Sequence, residues 1–138
     1  MSEGDIMKAK NSDIEKIEVF SGISKNSIVE IKNSADVIDL KKNKALYSDR
    51  QQLDYVYFLI SGNVSLIKSS ESGENRVVFL LNDGSMINEP LMRKNTSGIE
   101  CWGFEDSKIL RIGLKTFDKI MSKFLINTYT LLHLLYCI

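Results

Sequence analysis

Few residues in this chain have the types and spacing to do chemistry. His133 is the only histidine among 138 residues. A metal site of two histidines and a carboxylate needs a second one, so that enzyme chemistry is not expected. Cys101 and Cys137 form no CxxC pair and no metal-ligand cluster. Two thiols cannot by themselves ligate a four-cysteine iron–sulfur cluster. Both read most simply as small buried hydrophobes, because a reactive thiol needs an activated, accessible thiolate. Trp102 and Phe104 have the size to wall an apolar pocket, although core packing is the simpler role. No catalytic residue and no metal ligand is assigned.

Bulk composition narrows the function classes further. Eighteen basic residues balance eighteen acidic ones. The chain as a whole therefore has no basic excess to draw it to a phosphate backbone. Hydrophobic residues make up 43% and charged residues 26%, which is globular and not disordered. Met1 to Asn11 is polar and charged and lacks a signal-peptide core. The most apolar stretch, Leu131 to Ile138, is too short to span a bilayer. A reduced, cytoplasmic protein without membrane contact is expected.

The elements that must position any site follow from periodicity. Ser12 and Glu15 have capping-box spacing, and Ile14, Ile17 and Phe20 follow at helical intervals. Ile23, Ile28 and Ile31 mark a second short helix, with Ser24 or Ser27 as its N-cap. From Ala35 the pattern becomes strands: 37–40, 46–47, 55–60, 64–67, 76–81, 99–104 and 109–112. Ser61-Gly62-Asn63, the polar stretch 71–75 and Asn82-Asp83-Gly84 are the turns between them. Strands this closely spaced predict a mainly β barrel, roll or sandwich. Leu114, Phe117, Ile120 and Met121 return to helical spacing. A last helix from about Asn127 is apolar nearly all round, so it needs cover from its own domain, a partner or further chain.

One block of sequence resembles the Crp/Fnr family of bacterial transcription regulators. It comprises Leu40 to Tyr47 (LKKNKALY) and Asp54 to Val64 (DYVYFLISGNV), which fit the family's strand, turn, gap and "YFLxxGxV" hairpin. Val19 to Ser24 (VFSGIS) fits the "LFSGLS" stretch before it. The likeness runs from Ile14 to about Ile138. It implies a double-stranded β-helix, or jelly roll, of the cyclic-nucleotide-binding type. The expected organisation is a single domain over 1–138, with helices in 11–34, the roll in 35–113 and helices in 114–138. It also implies a homodimer through a truncated C-terminal helix, carried here by Leu131, Leu134, Leu135 and Ile138. The family's winged helix-turn-helix is expected beyond this chain, so DNA is a partner only through that absent domain.

The resemblance also implies an effector site after the Gly84 turn. Cyclic-nucleotide binders there carry Gly-Glu and, about ten residues on, Arg-Ser/Thr-Ala. Backbone N–H groups and the arginine fork hold the phosphate, and the glutamate takes a ribose hydroxyl. Here Glu89 matches the glutamate, but Asn88 replaces the glycine. Pro90 suits a first helical turn but removes an N–H donor. The phosphate arginine falls at Ser97 and its hydroxyl neighbour at Gly98. A serine cannot supply a bidentate charged fork. Arg93 and Lys94 are the nearby cations, either substituting for it or simply solvated. Glu89 has a structural alternative as a helix-start charge. Gly84, Asn88, Glu89, Arg93, Ser97 and Gly98 are thus the candidate contacts for a small-molecule effector. Cyclic AMP is not expected, nor is haem, since a lone histidine on an apolar helix is more often packed at an interface. The alternative is a stand-alone dimeric protein-interaction module of the same fold without DNA binding.

Overall fold

The computed structural model describes residues 6–48, 53–69, 73–88 and 99–123. It opens with a short strand β1 (Ile6–Lys8), helix α1 (Asn11–Glu15), a 3-10 turn (Glu18–Phe20) and helix α2 (Lys25–Ser34). Seven strands follow: β2 (Ala35–Leu40), β3 (Ala45–Tyr47), β4 (Tyr55–Ser61), β5 (Val64–Ser69), β6 (Asn75–Leu81), β7 (Ile99–Gly103) and β8 (Ser107–Gly113). Residues 114–123 are helical and are called α3.

The strands form two four-stranded sheets, ordered β1-β2-β8-β4 and β3-β7-β5-β6. Every pairing is antiparallel. The predicted mainly β roll with flanking helices is therefore what the chain forms. β1 was not expected: its three residues are exposed, so no alternation marks it.

Two apolar cores share the first sheet. On its outer face, Ile14, Ile17, Phe20 and Ile31 meet Val56, Phe58, Leu110 and Ile112. Phe117, Ile120 and Met121 of α3 join the same core. Phe58 lies 5.0 Å from Phe20 and 5.8 Å from Phe117, ring centre to ring centre. This aromatic trio fastens the N-terminal segment and α3 to one sheet. Between the sheets lies the second core, with Ile38, Leu46, Tyr47, Tyr57, Leu59, Val64, Cys101 and Ile109.

The helix starts separate two cases. Ser24 caps α2 as expected, its Oγ accepting from Ser27 N–H at 3.2 Å. Ile23 before the cap and Ile28 one turn in both reach the outer core, at staple positions. At α1 the expected Ser12/Glu15 box is displaced. Lys10 is the N-cap, and Asp13 accepts from Lys10 N–H at 3.0 Å, so Ser12 lies inside the helix. The helix ends at Glu15, but Ile14, Ile17 and Phe20 are buried as one face all the same.

Ser61-Gly62-Asn63 is not the hairpin turn expected from the sequence. β4 pairs with β8, while β5 pairs with β6 and β7 in the other sheet. The turn is a corner between sheets. Gly62 has φ of 110°, and a Cβ there would sit 2.8 Å from Ser107 Cα. Only glycine allows β8 to start so close. Local turn chemistry is the same at a corner and at a hairpin, so spacing alone could not separate them.

Candidate functional site

The candidate effector segment starts at the turn after β6. Gly84 adopts φ of 89°, and its N–H donates to Leu59 O at 2.7 Å. Its own carbonyl accepts from Glu18 N–H at 3.0 Å. A Cβ at this position would come 2.7 Å from Lys16 O. Gly84 is thus wedged between β4 and the N-terminal segment, with both backbone groups engaged. Asp83 beside it accepts from Gly62 N–H at 2.9 Å, tying this turn to the corner.

From Gly84 the chain runs along the open edge of β4. Leu59 N–H donates to Ser85 O, Met86 bridges Phe58, and Ile87 N–H donates to Tyr57 O. Asn88 ends this run with its side chain. Its Oδ1 accepts from Tyr57 N–H at 2.7 Å, and its Nδ2 donates to Tyr55 O at 2.9 Å. An asparagine amide presents the donor and acceptor of a peptide group, so Asn88 extends the ladder by one rung. Gly84 and Asn88, two of the candidate contacts, therefore have structural partners. Glu89, Pro90, Arg93, Lys94, Ser97 and Gly98 lie outside the described residues, as do His133, Cys137 and the dimer-helix residues Leu131, Leu134, Leu135 and Ile138.

The roll interior next to this segment is filled by the chain itself. Leu59, Val64, Cys101 and Ile109 are wholly buried, and Tyr47, Tyr57 and Ile87 nearly so. The Tyr47 and Tyr57 rings stack at 6.0 Å. Burial pushes the Cys101 thiol up to about 12. Burial also raises Tyr57 to about 12, against the opposing pull of Arg111. Tyr47 is raised further, again chiefly by burial. All three groups are protonated at neutral pH, so none offers a ready nucleophile or base. Cys101 is the small buried hydrophobe expected of it. Trp102 and Phe104 are not: Cys101 faces inward, so Trp102 points outward, its Nε1–H donating to Glu100 at 2.9 Å. Phe104 is 50% exposed.

Sequence reasoning missed a polar group on the same face of the first sheet. Arg111 on β8 stands opposite Asp36 on β2 and Tyr57 on β4. Its Nε donates to Asp36 at 3.2 Å, and its guanidinium lies 4.5 Å from the Tyr55 ring centre. Strand alternation places 55, 57 and 111 on faces, but the register that joins them is long-range. A surface cleft of about 550 Å³ opens beside Tyr55, between Leu53 and Asp54 and the start of α3 at Leu114 and Lys115. Neither Gly84 nor Asn88 lines it, although Asn88 bonds the backbone of Tyr55, which does. Among the described residues no group of three metal-ligating side chains occurs. No helix among them is long and apolar enough to cross a membrane.

Comparison with known proteins follows the same outline. No curated protein sequence matches the chain. The sensor domain of the transcriptional regulator DNR from Pseudomonas aeruginosa superposes with a TM-score of 0.75 at 18% identity, over 91% of this chain and 85% of that one. Thermus thermophilus catabolite activator protein gives 0.68 at 18% identity, over 86% of this chain. This chain spans only 56% of the length of that protein. The regulatory subunit of a cAMP-independent protein kinase A from Trypanosoma brucei gives 0.70 at 12% identity, over 85% of this chain and 44% of that one. Identities this low establish a shared fold. Residues 37–124 match the family model described as "Cyclic nucleotide-binding domain". That match covers more than half of the chain, and its span holds β3 to β8 and the turn-and-edge segment just described: this chain belongs to the cyclic nucleotide-binding domain family.

Proposed function

We propose that this domain senses an effector for a bacterial Crp/Fnr-like transcription regulator, and that the effector is not a cyclic nucleotide. The observation that carries this is Asn88. It stands where cyclic-nucleotide binders resemble one another in using glycine, and its amide is committed to Tyr55 and Tyr57 of β4. A phosphate needs close backbone approach there. Ser97 stands where the phosphate arginine belongs, and leaving a buried anion without its partner costs about 3–5 kcal/mol. That corresponds to roughly two to four decades in Kd. A neighbour of the same fold, from Trypanosoma brucei, is the regulatory subunit of a cAMP-independent protein kinase A.

In this reading the domain is regulatory and not enzymatic, cytoplasmic, and without a bound cofactor. It works as a homodimer through Leu131, Leu134, Leu135 and Ile138. An effector taken up near Glu89 and Arg93 shifts the segment along β4 and, through Gly84 and Glu18, the N-terminal turn packed on α3. A two-state shift of this kind reorients DNA-binding domains attached beyond Ile138.

Titration calorimetry with cyclic AMP and cyclic GMP tests the negative half. No heat of binding is expected at micromolar ligand. Saturable micromolar binding of either nucleotide overturns the reading.

A further inference from the structure

Arg111 is a nearly buried cation with most of its donors to spare. Its side chain is 11% exposed. Asp36 holds its Nε edge at 3.2 Å, and the Tyr55 ring supports its guanidinium at 4.5 Å. Among the described residues nothing accepts from its two terminal nitrogens, which carry four of its five N–H donors. Tyr57, opposite Arg111 on β4, is buried, and its hydroxyl has no hydrogen-bond partner among the described residues. Buried donors left over in a native fold call for an acceptor. The row also has charge to match. Lys8, Asp36 and Arg111 stand opposite one another across β1, β2 and β8, two cations to one carboxylate.

Space lies beside this group. β4 and β8 pair without a shift from Tyr55 and Gly113 to Tyr57 and Arg111, so Gly113 follows Arg111 on one face of the sheet. A Cβ on Gly113 would meet nothing within 4 Å. Gly113 and Tyr55 line the cleft of about 550 Å³, with Leu53 and Leu114 as further apolar walls. That volume suits a small organic molecule. We propose that this cleft binds a small amphipathic carboxylate, its apolar body over Gly113 and its carboxylate on the terminal fork of Arg111. A carboxylate is the match because a guanidinium presents paired, parallel N–H groups. Asp36 and Tyr55 hold the fork in place beforehand, which lowers the ordering cost of binding. Asp54, Lys115 and Asp118 around the cleft are exposed, so water screens their charges far more than that of Arg111. The site uses none of the residues assigned to the effector and stands without that reading. Its walls include Tyr55, whose carbonyl Asn88 bonds, and the start of α3, so a ligand there bears on both.

Titration calorimetry with benzoate as the probe tests it, with benzamide as the uncharged counterpart. Saturable benzoate binding at millimolar ligand or below is expected, with benzamide weaker by about tenfold or more, as the loss of a charge-assisted hydrogen bond requires. Gly113→Val puts a side chain into the cleft without a clash. It should weaken benzoate by about tenfold or more while leaving the circular dichroism spectrum unchanged. Arg111→Gln removes the fork and should weaken benzoate to a similar extent. Because Arg111→Gln also breaks the pair with Asp36, Gly113→Val is the deciding variant. The absence of benzoate binding at millimolar ligand overturns the proposal. So does benzamide binding as tightly as benzoate, or undiminished benzoate binding in a folded variant, since the probe would then sit elsewhere.

Discussion

Asn88 shows how one side chain can complete a strand edge. Its amide substitutes for a peptide group at the end of the β4 edge, where Tyr57 N–H and Tyr55 O would otherwise face a gap. Both partners sit on a strand whose middle five residues are buried, so leaving them unpaired is costly. Asn88→Gly, which restores the glycine of nucleotide binders, should therefore lower unfolding free energy by about 1–3 kcal/mol. It should still bind no cyclic AMP, because Ser97 supplies no charge. Urea unfolding and calorimetry on the same sample check both halves. Unchanged stability means the amide is not a structural rung. None of this was legible from sequence, because the partners lie 31 and 33 residues away. What the sequence does show at this position is only the substitution itself.

Elements were legible where local chemistry decides and illegible where pairing decides. Helical spacing leaves Ser24 and Ser27 as N-cap candidates, and in the fold it is Ser24 whose Oγ accepts from Ser27 N–H. Ser24→Ala should cost about 1 kcal/mol, the usual worth of such a cap. Thermal unfolding should show a fall of a few degrees for a domain of this size, and Ser24→Asp should restore it. The strand Tyr55–Ser61 was equally plain from its run of aromatic and β-branched residues. By contrast, Gly62 signals a change of direction but not which sheet the chain joins next. Trp102 looked like core because of its size, yet alternation about Cys101 turns it outward. Ser12 lost the cap to Lys10 and Asp13 because β1 and α1 begin close together, and β1 itself is too exposed to leave a pattern. The candidate site shares this division. Its starting turn was legible from Asn82-Asp83-Gly84, while Arg111, Asp36 and the two tyrosines meet only through three-strand register.

At the scale of the whole molecule, the first sheet is the shared wall of two cores, and the inner one holds titratable groups in their neutral forms. Cys101 is wholly buried, and its thiol is pushed up to about 12 from an ordinary 9.0. Tyr57 is likewise raised, from 10.0 to about 12. Below pH 9 the thiol is protonated whether the chain is folded or not, so its share of stability is constant. Above that value the unfolded chain loses the proton and the folded chain keeps it. Unfolding then releases a proton, and rising pH favours it until the folded value is reached. In that window Cys101 contributes a loss of about 1.4 kcal/mol per pH unit. Tyr57 adds to the loss once pH passes 10.0. The urea midpoint should thus drop as pH rises from about 9 towards about 12, in step with the protons released on unfolding. Cys101→Ala starts from a lower stability, because it leaves a small void in the core between the two sheets. Its midpoint should nevertheless fall less steeply over the same range, since the buried thiol's share is gone. Parallel falls in the two proteins would mean that Cys101 ionises freely in the folded chain, and that the roll interior is open to water at that depth.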